Sequence, residues 1–349
     1  MHNKPLLTIV MPTYNSSDYI DNTVNSLISM VGTHTSLVEI LFVDDGSTDD
    51  TLLKLQKYVY KYKYMKVTKS KHLGVSIARN TGIAQSEGDY VTFLDSDDTF
   101  TKNFVSYFQK IVKKYDAPEI ILVNAKGIKD DKLIVNASVN DRLKIIQAMF
   151  WIGSLHVEPG IASKFFKRSF LLANQSMFDD RLVFSEDQLF NVQLFLKANS
   201  ILLTSFDFYH TNESHSLMYF NKNILNGQLA FLDELKKSLY KYKDNGLAIQ
   251  ILNRAKQKTI YMFVDRYYGP LYINGTNSLD KSSKLLKQTI YENKLHPSLK
   301  TDEFDSIISF RYRLFRRLLK HHQYKLCLLV NKYMDFIKGY DRFKNNQRS

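Results

Sequence analysis

The residues Tyr90-Val91-Thr92-Phe93-Leu94-Asp95-Ser96-Asp97-Asp98 constrain the fold of this chain more than any other stretch. An apolar run of strand composition stops abruptly at three carboxylates within four residues. Carboxylates this close repel one another unless a cation or a donor sits among them. Asp95 and Asp97 are two apart, so on an extended or gently bent backbone both side chains can converge on one point. Oxygen donors of this kind suit a hard divalent cation, Mg2+ or Mn2+, that also takes oxygens from a substrate phosphate. A solvated turn after an edge strand would use the same residues, so the surrounding pattern must decide between the two.

That pattern alternates strands with helices. Residues 6–11 read as a buried strand ended by Pro12. Ser17 or Asp18 can cap a helix running to about Ser29. A second strand over 39–43 runs into Asp44-Asp45-Gly46-Ser47-Thr48-Asp49, which opens a helix through Lys57, and a short strand follows near 65–68. Gly74 opens a further helix, and Gly88 precedes the acidic strand. Short connections between alternating elements predict an α/β fold: a mainly parallel sheet with helices on both faces. In such sheets ligands bind beyond the carboxyl ends of the strands. The polar tips at 13–15, 44–49 and 95–98 each follow a strand end and can line one crevice. Neither Gly-x-Gly-x-x-Gly nor a Walker A loop occurs, so a phosphate here would rely on a metal rather than on a glycine cradle.

The chain has 349 residues with 48 Lys/Arg against 35 Asp/Glu. From Asn221 onward the count is 25 Lys/Arg against 11 Asp/Glu, so the excess positive charge lies in the back third. This predicts two domains, 1–216 and 217–349. The second reads as helices broken near Gly246, Gly269-Pro270, Gly275 and Pro297. Within it, Arg311, Arg313, Arg316, Arg317 and Lys320 alternate with apolar residues, a basic amphipathic pattern over 309–337. That pattern suits an anionic membrane surface, an acceptor or self-association as a homo-oligomer; a bundle helix with a solvated basic face would look the same. A nucleic-acid footprint is disfavoured, because no helix-turn-helix or zinc-ligand spacing accompanies the charge. The lone Cys327 permits no internal disulfide. The apolar residues 6–11 are too few for a signal peptide, and no uncharged run is long enough to span a bilayer. The expected location is the cytoplasm, with peripheral contact at the inner face of the membrane.

Met11-Pro12-Thr13-Tyr14-Asn15, Val43 through Asp49, Gly74-x-x-x-Ala78-Arg79-Asn80-x-Gly82 and Leu94 through Asp98 together resemble, in order and spacing, the signature of bacterial family 2 glycosyltransferases with the GT-A fold. The resemblance extends over about 6–216 and includes Phe184-Ser185-Glu186-Asp187-Gln188. It implies an inverting transferase that uses a nucleotide-diphosphate sugar, most often UDP-linked, with a Mn2+ or Mg2+ cofactor. The acceptor implied is a glycan, a lipid-linked precursor or a cell-wall polymer. By the same resemblance Asp187 is the base, with Glu186 beside it at the head of an apolar helix over 189–196. Asp97 is the main metal contact, and Asp95 reaches the metal or the ribose. Pro12, Thr13, Tyr14, Asn15, Asp45, Lys71, Gly74, Arg79, Ser96 and Lys164 surround the nucleotide sugar. His215, with His210, is a candidate for a further metal or phosphate contact, and Trp151 is a candidate platform for a sugar ring. Processive relatives carry Gln-x-x-Arg-Trp and membrane spans; neither is seen here, so addition of one sugar at a time is expected. A module that binds the donor without turning it over is the alternative.

Overall fold

Strand β1 (Leu7–Thr13) is the centre of the first half of the chain, and its neighbours explain its composition. It is buried along its whole length and pairs in parallel with β2 (Val38–Asp44) on one side and β4 (Tyr90–Phe93) on the other. A strand covered on both faces needs a continuous apolar run, which Leu7, Ile9, Val10 and Met11 supply. The computed structural model describes residues 4–102, 104–182, 184–210 and 222–346, with side chains through residue 335. The chain forms two units: Met1–Arg181 with Glu186–His215, and Leu182–Ser185 with Ser216–Ser349.

In the first unit the chain runs outward from β1 through α1 (Ile20–Val31), β2, α2 (Thr51–Lys61) and β3 (Met65–Lys69). It then returns through α3 (Val75–Gln85) to β4 on the other side of β1. A short strand β5 (Thr99–Phe100), α4 (Phe104–Lys114), β6 (Ile120–Leu122), β7 (Lys132–Ile134) and α5 (Val139–Met149) follow. After them come β8 (Lys164–Lys167), α6 (Arg168–Ala173), α7 (Glu186–Phe195), β9 (Ile201–Leu203) and β10 (Tyr209–His210). The main sheet has the order β3-β2-β1-β4-β8-β6-β9-β7. It is parallel across its first four strands and between β6 and β9, and antiparallel where β8 joins β4 and β6 and where β7 joins β9. The direction of winding reverses between β1 and β4, which makes the carboxyl ends of those strands the topological switch point.

Period-two alternation assigns the layers. Ile9 and Met11 pack with Val24 and Leu27 of α1 and with Phe104 and Phe108 of α4. Val10 points the other way, toward α3, where Gly82 makes the approach possible: a Cβ there would stand 2.1 Å from a Val10 methyl. Within β2, Glu39 is buried but fully engaged, accepting from the Thr8 hydroxyl at 2.6 Å, the Lys66 ammonium at 2.7 Å and the Glu87 amide at 2.8 Å.

Pro12 does not end the first strand; it lies inside it, opposite Val43. The Val10 carbonyl accepts from Leu94 on the β4 side and the Thr13 carbonyl accepts from Asp45 on the β2 side. Pro12 therefore faces the β4 side at a level where that ladder has already ended at Phe93, and its missing N–H breaks no bond. The first helix begins after Tyr19, without a side-chain cap from Ser17 or Asp18.

The second unit is helical: α8 (Ile224–Leu239), α9 (Gly246–Phe263), α10 (Gly269–Ile273), α11 (Leu279–Glu292), α12 (Phe310–Lys320) and α13 (Tyr324–Asn346). Gly269-Pro270 is not a break. The chain stays helical through a π turn at Val264–Tyr268, and Pro270 follows directly in α10. Gly269 is required by close approach, since a Cβ would meet the Val264 carbonyl at 2.3 Å and the Asn331 amide at 2.4 Å. Two arginines of the basic stripe of α12 are also not on a free face. Arg311 is paired to Asp265 at 2.7 Å and Asp335 at 2.8 Å, and the buried Arg316 donates to Asp305 at 2.7 Å. These arginines close the bundle from within, and no helix among the described residues is long and apolar enough to cross a membrane.

Gly88 tests the packing of the switch point. A Cβ there would lie 2.6 Å from the Thr8 amide nitrogen, which is backbone and cannot swing away. Gly88→Ala is expected to cost about 1–3 kcal/mol of stability, read as a lowered urea midpoint; an unchanged midpoint would contradict this packing.

Candidate active site

The loops at the carboxyl ends of β1, β2 and β4 are braced to one another by short polar side chains. Asn15, at φ 47°, donates its amide to the Ser47 hydroxyl at 3.0 Å and accepts the Thr48 amide at 2.8 Å. The Ser16 amide donates to Thr51, and its hydroxyl lies 3.0 Å from that of Ser96. The Ser96 carbonyl in turn accepts from Thr23 at 2.8 Å. Burial alone would raise the Asp49 carboxyl, but donors from Thr51 and Ser17 hold it down at about 2. Asp44 closes its own turn by accepting from Ser47.

Asp45 does a different job. It is buried, and its two oxygens accept the Leu73 and Gly74 amides, each at 2.8 Å, so it clamps the loop that leads into α3. Gly74 can take up that geometry because its φ is +97°, a region that favours glycine. Beside it Tyr14 stacks on His72 with ring centroids 4.2 Å apart, and Lys71 is exposed on the same loop. Thr13 is 2% exposed, and its hydroxyl has no hydrogen-bond partner among the described residues. Pro12 is buried beneath this rim.

The centre of the arrangement is Arg79 on α3, which is 5% exposed. One guanidinium nitrogen reaches Asp95 at 3.2 Å, at the end of β4, and the other reaches Glu186 at 3.0 Å, the first residue of α7. The guanidinium also lies 5.3 Å over the Phe178 ring, whose backbone is held on both sides by the Asn80 side chain at 2.7 and 2.9 Å. Burial would weaken the Arg79 charge, but Asp95, Glu186 and Asp187 more than offset it. Glu186 is pushed up by burial and by Asp187, against the pull of Arg79. Two carboxylate motifs 91 residues apart are thereby fixed on one cation, which places Asp187 at the same edge of the sheet as Asp95. Asp187 accepts its neighbour's amide, from Gln188, at 2.7 Å on one oxygen; the other lies 3.0 Å from where a Cβ on Gly160 would stand.

Lys164 is not turned outward. It is 1% exposed, and its ammonium donates to the carbonyls of Glu158 at 2.7 Å, Gly160 at 2.5 Å and Ala162 at 3.3 Å. Asn191 of α7 donates to the carbonyls of Pro159 and Gly160 at 2.9 and 2.8 Å. Lys164 thus anchors the 158–162 loop that passes Asp187. Burial draws the lysine down to about 8, against the opposing charges of Asp187 and Glu158. Asp98 is buried and accepts from the Tyr209 hydroxyl, while Asp97 stays half-buried on the turn. Burial, reinforced by Asp95 and Asp98, pushes the Tyr209 phenol far up. His210 is exposed on β10, Trp151 is exposed after α5, and His215 lies outside the described residues.

Among the described residues no group of three or more His, Cys, Asp or Glu is gathered to hold a metal. Asp95 and Asp97 alone offer oxygens on one turn. This donor set fits Mg2+ or Mn2+ held by one or two carboxylates with the balance from phosphate and water, and it does not fit an all-protein cage. Sequence reasoning missed Ser16, Phe178, Asn191 and the 158–162 loop. Only the Asn80 in the α3 motif hinted at the second of these.

The role of Lys164 can be separated from ligand binding. Lys164→Met takes the lysine donor from the Glu158 and Ala162 carbonyls, while Asn191 still serves Gly160, and is expected to cost at most about 1–3 kcal/mol of stability, with little change in nucleotide affinity. A stable variant with weakened nucleotide binding would contradict the anchor role.

Residues 8–171 match the family model described as glycosyl transferase family 2. The poly(ribitol-phosphate) β-N-acetylglucosaminyltransferase TarP of Staphylococcus aureus is 25% identical over 241 residues, 67% of this chain and 72% of that protein. The corresponding enzyme TarS of Staphylococcus aureus is 30% identical over 208 residues, 57% of this chain; the match spans 34% of TarS, about a third of its length. In structure the chain is similar to S. aureus TarS 1-349 in complex with UDP-GlcNAc, with TM-score 0.61 and 19% identity over 95% of this chain and 92% of that one. With their mainly parallel sheet and acidic strand tips, residues 8–171 form a glycosyltransferase family 2 domain, and the chain has the GT-A fold.

Proposed function

We propose that the protein moves one sugar from a UDP-linked donor to a cell-wall polymer acceptor, with inversion at the transferred carbon. The observation that carries this reading is the double ion pair of Arg79, which sets the Asp95–Asp97 turn and the Glu186–Asp187 helix start at one edge of the sheet. The names of the relatives TarP and TarS support the acceptor class, and the UDP-GlcNAc bound to TarS supports the donor class.

Each step falls to particular residues. The Tyr14–His72 stack offers an aromatic wall to a flat base, and the unpartnered Thr13 hydroxyl offers it a hydrogen bond. Asp97, with Asp95, would hold a divalent cation, which when bound neutralises charge on the departing diphosphate. Asp95 is shared with Arg79, and the larger share is assigned to Asp97. Asp187 takes the proton of the acceptor hydroxyl as that oxygen attacks. Its first oxygen is fixed by the Gln188 amide, which leaves the second for the acceptor. Glu186 and Lys164 position this carboxylate, the first through Arg79 and the second through the 158–162 loop.

A panel of UDP-sugars, assayed for binding and transfer with Mn2+, tests the assignment. Asp97→Ala is expected to lose ion-dependent donor binding. Asp187→Asn is expected to keep donor binding and to lose at least about a hundredfold in transfer rate. Normal transfer by Asp187→Asn would overturn the base assignment.

A further inference from the structure

We infer that the helical unit carries a groove for the phosphodiester backbone of a polyol-phosphate acceptor. This deepens the proposed function and rests on it for the acceptor class. Two adjoining cavities of about 650 and 330 Å³ open between the end of α11, the turn before α12 and the α12–α13 connection, and they share His322 and Tyr324 as a common wall. The larger is lined by Lys300 and Lys320 together with His296, His321 and His322. The smaller adds Lys284, Lys287 and Lys325. No aspartate or glutamate lines either one.

The groove cations contrast with the two arginines that close the bundle. Arg311 and Arg316 are each neutralised by carboxylates. Of the groove lysines only Lys325 has such a partner, Asp280; among the described residues no ion pair joins Lys284, Lys287, Lys300 or Lys320 to an acid. Like charges gathered in a concavity focus a positive potential and attract anions. Lysine binds phosphate as a point charge on a flexible stem, which tolerates a chain that slides. His296 adds a second, independent sign of a ligand: its Nδ1 is buried and has no hydrogen-bond partner among the described residues.

The walls point to a polyol rather than to bare phosphate. Tyr291 stacks on His296 with centroids 4.6 Å apart and an interplanar angle of 9°, and its hydroxyl lies 3.4 Å from His322 Nδ1. Such a surface is apolar on its face and polar at its rim, which suits carbon-bound hydrogens flanked by hydroxyls. The succession of cations across two joined cavities suits repeated charges along one chain, where a single anion would need only one of them. A lipid bilayer presents a plane, whereas these charges line concavities.

The test uses the full chain and a purified poly(ribitol phosphate) as probe. Lys300 and Lys320 are exposed, so Lys300→Glu/Lys320→Glu can be checked for an unchanged melting temperature before binding is read. The variant is expected to bind the polymer at least about tenfold more weakly, as for other polyanion contacts, and to raise the KM for the polymer with kcat and UDP-sugar hydrolysis unchanged. Lys284→Glu/Lys287→Glu is expected to do the same to a smaller extent. Polymer affinity unchanged in the folded variants would overturn the groove. So would inorganic phosphate that competes as well as the polymer does, or phosphatidylglycerol vesicles whose binding is lost while polymer binding persists. Direct binding by Asp187→Asn keeps the two proposals apart. If that variant still transfers sugar while the lysine reversals abolish polymer binding, the base assignment fails and the groove stands.

Discussion

The paired ionic contacts of Arg79 are the constraint on which the rest of the site depends. A guanidinium this deeply buried is costly unless its donors are matched in direction and charge. Asp95 and Glu186 match two of them, and neither could sit where it does without the cation between them. The planar fork of arginine is well suited to holding two carboxylates at a fixed separation, which a lysine's single ammonium would not do. The strand-end turn and the helix start are thereby set relative to one another, although nothing in the sheet ladder connects them.

Around that centre the fold supplies rigidity in layers. Buried parallel strands place three loop tips at the switch point, and Gly82 and Gly88 let α3 and the approach to β4 lie close against β1. The tips are then cross-braced by hydroxyls and amides: Asn15 to Thr48, Ser16 to Ser96, and Asp45 to Gly74. Loops that carry function are usually the mobile part of a domain. Here each starts from a strand end and is held across its middle by a neighbour. Lys164 and Asn191 extend the same principle to the 158–162 loop, so the backbone beside Asp187 is also fixed.

Much of the first unit was legible from residues alone. A strand buried on both faces must be apolar throughout, and residues 6–11, 39–43 and 90–93 are readable for that reason. The polar tips were legible as well, because Asp, Ser and Asn have no other reason to cluster directly after such strands. What the sequence could not display is what depends on partners far along the chain. Pro12 reads as a stop, because nothing local reveals that the β4 ladder ends first. Lys164 reads as a ligand, because nothing local reveals three carbonyls curled over its ammonium. Arg311 and Arg316 of α12 read as part of a solvated face, because their acids stand 11 to 46 residues away, at Asp305, Asp335 and Asp265. Gly269-Pro270 reads as a break, because a π turn leaves no local mark.

A double-mutant cycle on Arg79 and Glu186 measures the central claim most directly. Arg79→Met, Glu186→Gln and the pair would be compared in unfolding free energy and in donor turnover. A shared buried contact predicts that the two losses are not additive, with a coupling of at least about 1.5 kcal/mol. Strictly additive losses would mean that the guanidinium does not tie the helix start to the strand-end turn, and the account of the site would fall with it.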